Sequence, residues 1–222
     1  MMERATEIIN DIAKETDEVI LAHSLSGKDS IALLELLYPH FKKIVCMFMY
    51  TVPNLRHINE YYAWAKKKYP KAEFIAVPHY SLFEYRKHGF LGKRGDEKQR
   101  LFRLSDIIDK VREKFGIEWV CLGFKQADSL NRRLMLRSYK DGKLSISYAG
   151  KKFYPLSTYK NEDVMKYIEV RKLKRPEWYD PKEQSSGVDV SDIHYLKYLE
   201  RNYPDDLEKV FKEFPAARRI IL

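Results

Sequence analysis

Short apolar runs of strand length alternate along the chain with segments whose apolar residues recur every three or four positions. The first such segment, Arg4 to Glu15, predicts an amphipathic helix. "EVILA" (Glu18 to Ala22) is a continuous apolar run and predicts a buried strand. A loop of small polar residues then leads into an apolar helix from about Asp29 to Leu37. The same reading gives a strand at Ile44 to Tyr50, a helix at Leu55 to Lys68 closed by Tyr69-Pro70, and a strand at Glu73 to Val77. "LSDIIDKVREKFG" predicts a helix with Ser105 as N-cap and Gly116 past its end, and Trp119 to Gly123 a further strand. Strands that alternate with helices predict an α/β fold, a Rossmann-like, doubly wound, mostly parallel sheet covered on both faces. In such sheets ligands sit beyond the carboxyl ends of the strands. "HSLSGKDS", "YTVPN" and "GFKQADS" each follow a strand, so the topology predicts all three at one edge.

Beyond Arg137 the pattern changes. "SYKDGKLSISYAGKKFYPL" carries turn signals at Asp141-Gly142 and near Gly150, and reads as a hairpin with irregular flanks. A helix is expected at Asn161 to Arg171. The Pro- and aromatic-rich "RPEWYDP" follows, read as a cap on the core or a contact surface, and then two short helices split at Tyr203-Pro204. The expected organisation is a nucleotide-binding α/β core over residues 1–140, with a C-terminal extension over 141–222 that completes the site and packs on the core.

The 222 residues are 45% hydrophobic and 33% charged, the balance of an ordinary globular protein. No apolar run approaches the ~20 residues that would span a membrane, and "MMERATEIINDIAKE" lacks the apolar centre of a signal peptide. The expected location is therefore cytoplasmic. Net charge is +9, which favours an anionic partner, nucleotide or nucleic acid. Arg86 to Arg103, "RKHGFLGKRGDEKQRLFR", holds seven Lys/Arg against two acids. Its three glycines and lack of periodicity predict a loop, either a solvated surface loop, a flap over a phosphate site or a nucleic-acid contact. Cys46 and Cys121 each lie inside an apolar run and read as buried small hydrophobes. No set of ligands for structural zinc is visible.

The loop after the first strand is the strongest chemical signal. A Walker loop would need glycine at position 22 and Ser or Thr after Lys28; the chain has Ala22 and Asp29. What remains is a strand, a tight loop and a helix starting near Lys28. Backbone N–H groups at such a start cradle an anion. Ser24, Ser26 and Ser30 add hydroxyls, Gly27 allows close approach, Lys28 adds a positive charge, and Asp29 can cap the helix or help hold a metal ion.

"SLSGKDS" resembles the PP-loop signature S-G-G-K-D-S of the adenine nucleotide α-hydrolase superfamily, which includes ATP pyrophosphatases, the ATP sulfurylase small subunit and phosphoadenosine phosphosulfate (PAPS) reductases. "GFKQADSLNRR" is similar to the G-x-[RK]-x-x-[DE]-S-x-x-R segment of the PAPS reductase branch, matching at Gly123, Lys125, Asp128, Ser129 and Arg132. "YPLSTYKNEDVMKYIEVRKLKRPEWYD" resembles a third segment of that branch, with Tyr159 where Trp is usual. The resemblance spans roughly Glu18 to Asp180. It implies a HUP-type fold, bound ATP or PAPS with Mg²⁺, and cleavage of ATP between its α- and β-phosphates to adenylate an acceptor or support sulfur transfer. Ser24, Ser26, Gly27, Lys28, Asp29 and Ser30 would hold pyrophosphate. Gly123, Lys125, Ser129, Arg132 and Arg133 would frame the α-phosphate, a sulfate or the acceptor, with Lys28, Asp29 and Arg132 nearest the chemistry.

Three departures qualify this. Ser26 replaces the first glycine of the loop. Tyr50-Thr51 stands where many reductase-branch members have Asp-Thr. Residues 140–222 contain no cysteine, which argues against reduction by a C-terminal thiol, and the count of two is taken to exclude a Cys-ligated iron–sulfur cluster. Three readings stay open: an ATP-using enzyme that adenylates an unidentified acceptor, a divergent reductase or sulfotransferase-like enzyme acting on PAPS or adenosine phosphosulfate, and a non-catalytic nucleotide- or nucleic-acid-binding module. Oligomeric state stays open, a homodimer included.

Overall fold

The computed structural model describes residues 1–24, 27–139, 145–174 and 189–222. In chain order these form α1 (Glu3–Ala13), β1 (Glu18–Ala22), α2 (Lys28–Leu37), β2 (Lys43–Tyr50), α3 (Arg56–Lys68), β3 (Ala72–Pro78), α4 (Tyr80–His88), α5 (Leu104–Phe115), β4 (Val120–Cys121), α6 (Leu130–Arg137), β5 (Ile146–Ser147), β6 (Lys152–Phe153), α7 (Asn161–Val170), α8 (Ile193–Asn202), α9 (Pro204–Glu213), a 3-10 turn at Pro215–Ala217, and α10 (Arg218–Ile221). Among these no helix is long and apolar enough to cross a membrane. Leu25 and Ser26, the Asp141-Gly142 turn and the whole of "RPEWYDP" lie outside the described residues.

The strands form one α/β sheet in the order β3-β2-β1-β4-β6-β5. β1 runs parallel to both β2 and β4, with Ile20 opposite Val45 on one side and Val120 on the other. β4 is parallel to β6, and β5 closes the edge antiparallel. The expected Rossmann-like, mostly parallel sheet is present. Val19 to Leu21 and Ile44 to Met47 are buried without alternation, because strands covered on both faces have no solvent side. The chain walks outward from β1 through β2 to β3, then returns to the other side of β1 as β4. The point where strand order reverses therefore lies between β1 and β4, where open α/β sheets place their ligands.

The chain divides into two compact units. The first comprises Met1–Phe48, Tyr69–Ile75 and Phe115–Pro176. It holds most of the sheet with α1, α2, α6 and α7. Helix α2 is apolar almost all round, with Ile31, Ala32, Leu33, Leu34, Leu36 and Leu37 all buried, and α7 packs against it. Arg171, just past α7, pairs with Glu35 of α2 at 2.8 Å, and the Tyr69 hydroxyl donates to the same carboxylate at 2.8 Å.

The second unit comprises Met49–Lys68, Ala76–Lys114 and Glu177–Leu222. Among its buried apolar residues lies a buried polar pair, His57 and Asp206. Asp206, near the start of α9, accepts the backbone N–H groups of Arg56 at 2.8 Å and His57 at 3.1 Å, so it caps the N-terminus of α3 from a distant part of the chain. The same carboxylate meets His57 Nδ1 at 2.8 Å, and the Tyr195 hydroxyl lies 3.2 Å from His57 Nε2. Burial pushes the Asp206 carboxyl up, yet these donors and Lys209 outweigh it and hold it below the usual carboxylate range.

Two expectations are corrected here. The basic segment is not a plain loop, because Arg86, Lys87 and His88 form the last turn of α4, where cations suit the helix dipole. The following residues are tied down within this unit. Phe90 stacks on Tyr85 at 4.1 Å, Leu91 accepts a hydrogen bond from Ala216, and Lys93 pairs with Glu213. Helix α4 buries only Leu82, so it lacks the apolar stripe that would have disclosed it. Helix α5 begins at Leu104, one residue before the expected N-cap, because Asp106 accepts the Arg103 N–H at 2.7 Å and caps from inside. Gly116 does leave the helix left-handed, at φ 68°.

Candidate functional site

The reversal point between β1 and β4 is occupied by charge. After β1 the backbone passes His23 and Ser24 and enters α2 with Gly27 as N-cap. The Ser24 carbonyl accepts from the Gly27 N–H at 2.9 Å and from the Ser30 hydroxyl, which also donates to the Gly27 carbonyl at 3.0 Å. Ser30 thus braces the turn from within. The N–H groups of Lys28, Asp29 and Ser30 lie in the first turn, where a helix supplies them no carbonyl partner.

After β4 the chain passes Gly123, and here only glycine fits comfortably. A Cβ on Gly123 would sit 3.1 Å from the Asp29 Cβ and 3.6 Å from a Leu33 methyl. That close approach brings Lys125 to the start of α2. Lys125 is 1% exposed, and its ammonium lies 2.6 Å from Asp29 Oδ2 and 3.0 Å from Asp128 Oδ1. Lys28 reaches the same Asp29 oxygen at 3.5 Å. Arg132 pairs with Asp128 Oδ2 at 2.7 Å and lies over the Phe124 ring at 4.2 Å. Ser129 is the N-cap of α6 and accepts the Arg132 N–H at 3.2 Å.

The structure therefore brings Ser24, Gly27, Lys28, Asp29, Ser30, Gly123, Lys125, Ser129 and Arg132 into one region. Ser26 lies outside the described residues. Arg133 does not join the cluster; it is exposed and donates from Nε to the Gln126 carbonyl at 3.3 Å. Asp128 carries more than its place as a motif match suggested. Burial pushes its carboxyl up, but the Lys125 N–H and ammonium and the Arg132 guanidinium outweigh this and hold it low. The Lys125–Asp128–Arg132 spacing, three and then four residues, was the available signal, since such spacing places side chains on one face of a turn.

The buried oxygen Asp29 Oδ1 has no hydrogen-bond partner among the described residues. An unused carboxylate oxygen at the start of α2 suits Mg²⁺, which binds through one or two carboxylates plus substrate phosphates. No group of three or more His, Cys, Asp or Glu among the described residues is arranged to hold a metal. Beside the site, His23 is fully buried and its imidazole pKa is lowered to about 4 by that burial. Cys46 and Cys121 are buried in β2 and β4 as expected, and burial pushes both thiols up.

No protein-family model matches the sequence, and no curated protein matches it. Solved structures do. U34-tRNA thiolase NcsA from Methanococcus maripaludis, with its [4Fe-4S] cluster, superposes with a TM-score of 0.50 at 18% identity, over 98% of this chain and 78% of that one. The NH3-dependent NAD synthetase from Campylobacter jejuni superposes with a TM-score of 0.51 at 13% identity, over 99% and 93%. The chain shares their fold. This corrects the exclusion of an iron–sulfur cluster, since a protein of the same fold carries one. A cysteine count tests only a cluster held wholly by the thiolates of one chain.

Proposed function

We propose that the chain binds ATP at the start of α2 and cleaves it between the α- and β-phosphates to adenylate an acceptor. The observation that carries this is Lys125, buried between Asp29 and Asp128 where strand order reverses. A buried ammonium held by two carboxylates from separate segments is costly to assemble for stability alone. The cluster has three cations, Lys28, Lys125 and Arg132, against two carboxylates, and so leaves net positive charge for phosphate oxygens.

The roles follow from position. The N–H groups at the start of α2, with Lys28, take the β- and γ-phosphates. Arg132 and Lys125 face the α-phosphate. Mg²⁺ at Asp29 would neutralise phosphate charge. An acceptor oxygen forms a bond to the α-phosphorus, the bond from that phosphorus to the bridging oxygen breaks, and pyrophosphate leaves with the electron pair. Positioning and charge neutralisation supply the catalysis in such chemistry. An adenylated oxygen is a good leaving group for a sulfur or nitrogen nucleophile. That agrees with one fold relative being a thiolase and the other an NH3-dependent synthetase.

Calorimetry with ATP and Mg²⁺ tests the reading. Lys28→Ala is expected to weaken binding at least tenfold, about 1.4 kcal/mol, with pyrophosphate release lost in parallel. Unchanged affinity would sink the assignment. Tighter binding of PAPS than ATP, with sulfite release on adding a thiol, would replace adenylation by reduction.

A further inference from the structure

Helix α6 leaves the candidate site carrying a surface that the phosphate chemistry does not use. Of its eight residues only Leu136 is buried. Leu130 and Leu134 are 65% and 60% exposed. Positions 130, 133, 134 and 137 share one face of an α-helix, so the two leucines lie beside Arg133 and Arg137, both also exposed.

Those arginines are oriented without being neutralised. Arg133 donates from Nε to the Gln126 carbonyl, and Arg137 from Nε to the Gln126 side-chain oxygen, each at 3.3 Å. Gln126 is itself fixed through its N–H, which donates to the Ser157 carbonyl at 2.8 Å. Neither guanidinium meets a carboxylate among the described residues. Asp128, the one acid between Gly123 and Tyr139, is already committed to Lys125 and Arg132. Two held arginines, whose backbone positions are about 6 Å apart along the axis, therefore present charge that no carboxylate among the described residues compensates, beside apolar side chains.

We propose that this face of α6 binds a single-stranded nucleic acid, with Arg133 and Arg137 on successive phosphates and Leu130 and Leu134 against unstacked bases. A protein groove that receives a helix takes apolar anchors at i, i+3, i+4 and i+7. Here i+3 and i+7 are arginine, so half the anchors are wrong for that partner and right for a phosphodiester chain. Unpaired bases are what exposed leucines can reach, since in a duplex the base faces are stacked away. Arg132, next to Arg133, belongs to the phosphate cluster, so a strand lying along α6 runs toward the ATP site. Within the proposed function this makes the nucleic acid the acceptor, and that extension rests on the adenylation reading.

Fluorescence anisotropy with a short mixed-sequence single-stranded RNA tests the proposal, with Arg137→Gln and the double variant Arg137→Gln/Leu134→Ser beside the unaltered protein. Calorimetry with ATP runs in parallel on each. The unaltered protein is expected to lose affinity steeply between about 50 and 200 mM salt. Arg137→Gln should make the salt slope shallower by about one, and the double variant should bind at least tenfold more weakly, with ATP affinity unchanged. Equal RNA binding by the double variant would overturn the proposal, as would preferential binding of a polyglutamate peptide over RNA. RNA binding that depends on α6 in a protein with no ATP affinity would leave the surface standing and remove the adenylation reading. Both substitutions are at exposed positions, and a thermal melt of each variant confirms that it is folded.

Discussion

Lys125 illustrates how a single residue changes meaning between sequence and structure. In "GFKQADSLNRR" it is one cation of three past a strand; in the fold it is enclosed by two carboxylates. Lys125→Met is therefore expected to cost about 2 to 3 kcal/mol of stability, because it removes the buried cation shared by Asp29 and Asp128 and leaves each carboxylate only its outer partner, Lys28 at 3.5 Å and Arg132 at 2.7 Å. A urea titration measures this, and a cost below about 0.5 kcal/mol, the range of ordinary surface substitutions, would show that the trio is not coupled. His23 gives a prediction in pH. Its folded pKa is about 4 against an ordinary 6.5, so between those values the unfolded chain binds more protons than the folded one. Stability is whole above pH 6.5 and falls as pH drops toward 4, by on the order of 3 kcal/mol. His23→Phe should flatten that slope in a series of denaturant titrations, and an unchanged slope would assign the acid sensitivity elsewhere.

At the scale of elements, the strand–loop–helix pattern around α2 was legible because an apolar run of strand length followed by small polar residues and a buried helix has few other solutions. Helix α4 was not legible, since it is held by Phe90 on Tyr85 and by contacts from the C-terminal residues rather than by an apolar stripe. The Asp206 cap of α3 was equally hidden, because acceptor and donors stand 150 and 149 residues apart. Asp206→Ala should cost about 3 kcal/mol, as two backbone N–H groups and His57 lose their acceptor together. Retained stability in a thermal melt would show that water replaces the carboxylate. Gly123 joins two elements. Gly123→Ala forces a methyl against the Asp29 Cβ at 3.1 Å, and is expected to cost about 1 to 2 kcal/mol and to weaken ATP binding by displacing the start of α2. Normal ATP affinity in this variant would mean that the β4 edge and the α2 cradle act independently.

At the scale of the whole molecule, ATP at a hundredfold excess over its Kd should raise apparent stability by about 2.7 kcal/mol. A thermal shift with ATP and Mg²⁺ reads this directly, and no shift at any concentration would argue against a native-state site. The sequence by itself determined the order and type of the principal elements, the parallel sheet they imply, the buried character of both cysteines and the tight turn that leads from β1 into α2. These are local properties, written in the period and placing of apolar residues. Tertiary structure alone decided which segments meet. Strand order put β4 beside β1, and so set Lys125 against Asp29 across 96 residues of chain, because pairing between parallel strands is non-local and leaves no periodic trace. Helix geometry then set Arg132 against Asp128 and turned Arg133, its neighbour, to the Gln126 carbonyl, since one step along a helix rotates a side chain by roughly 100°.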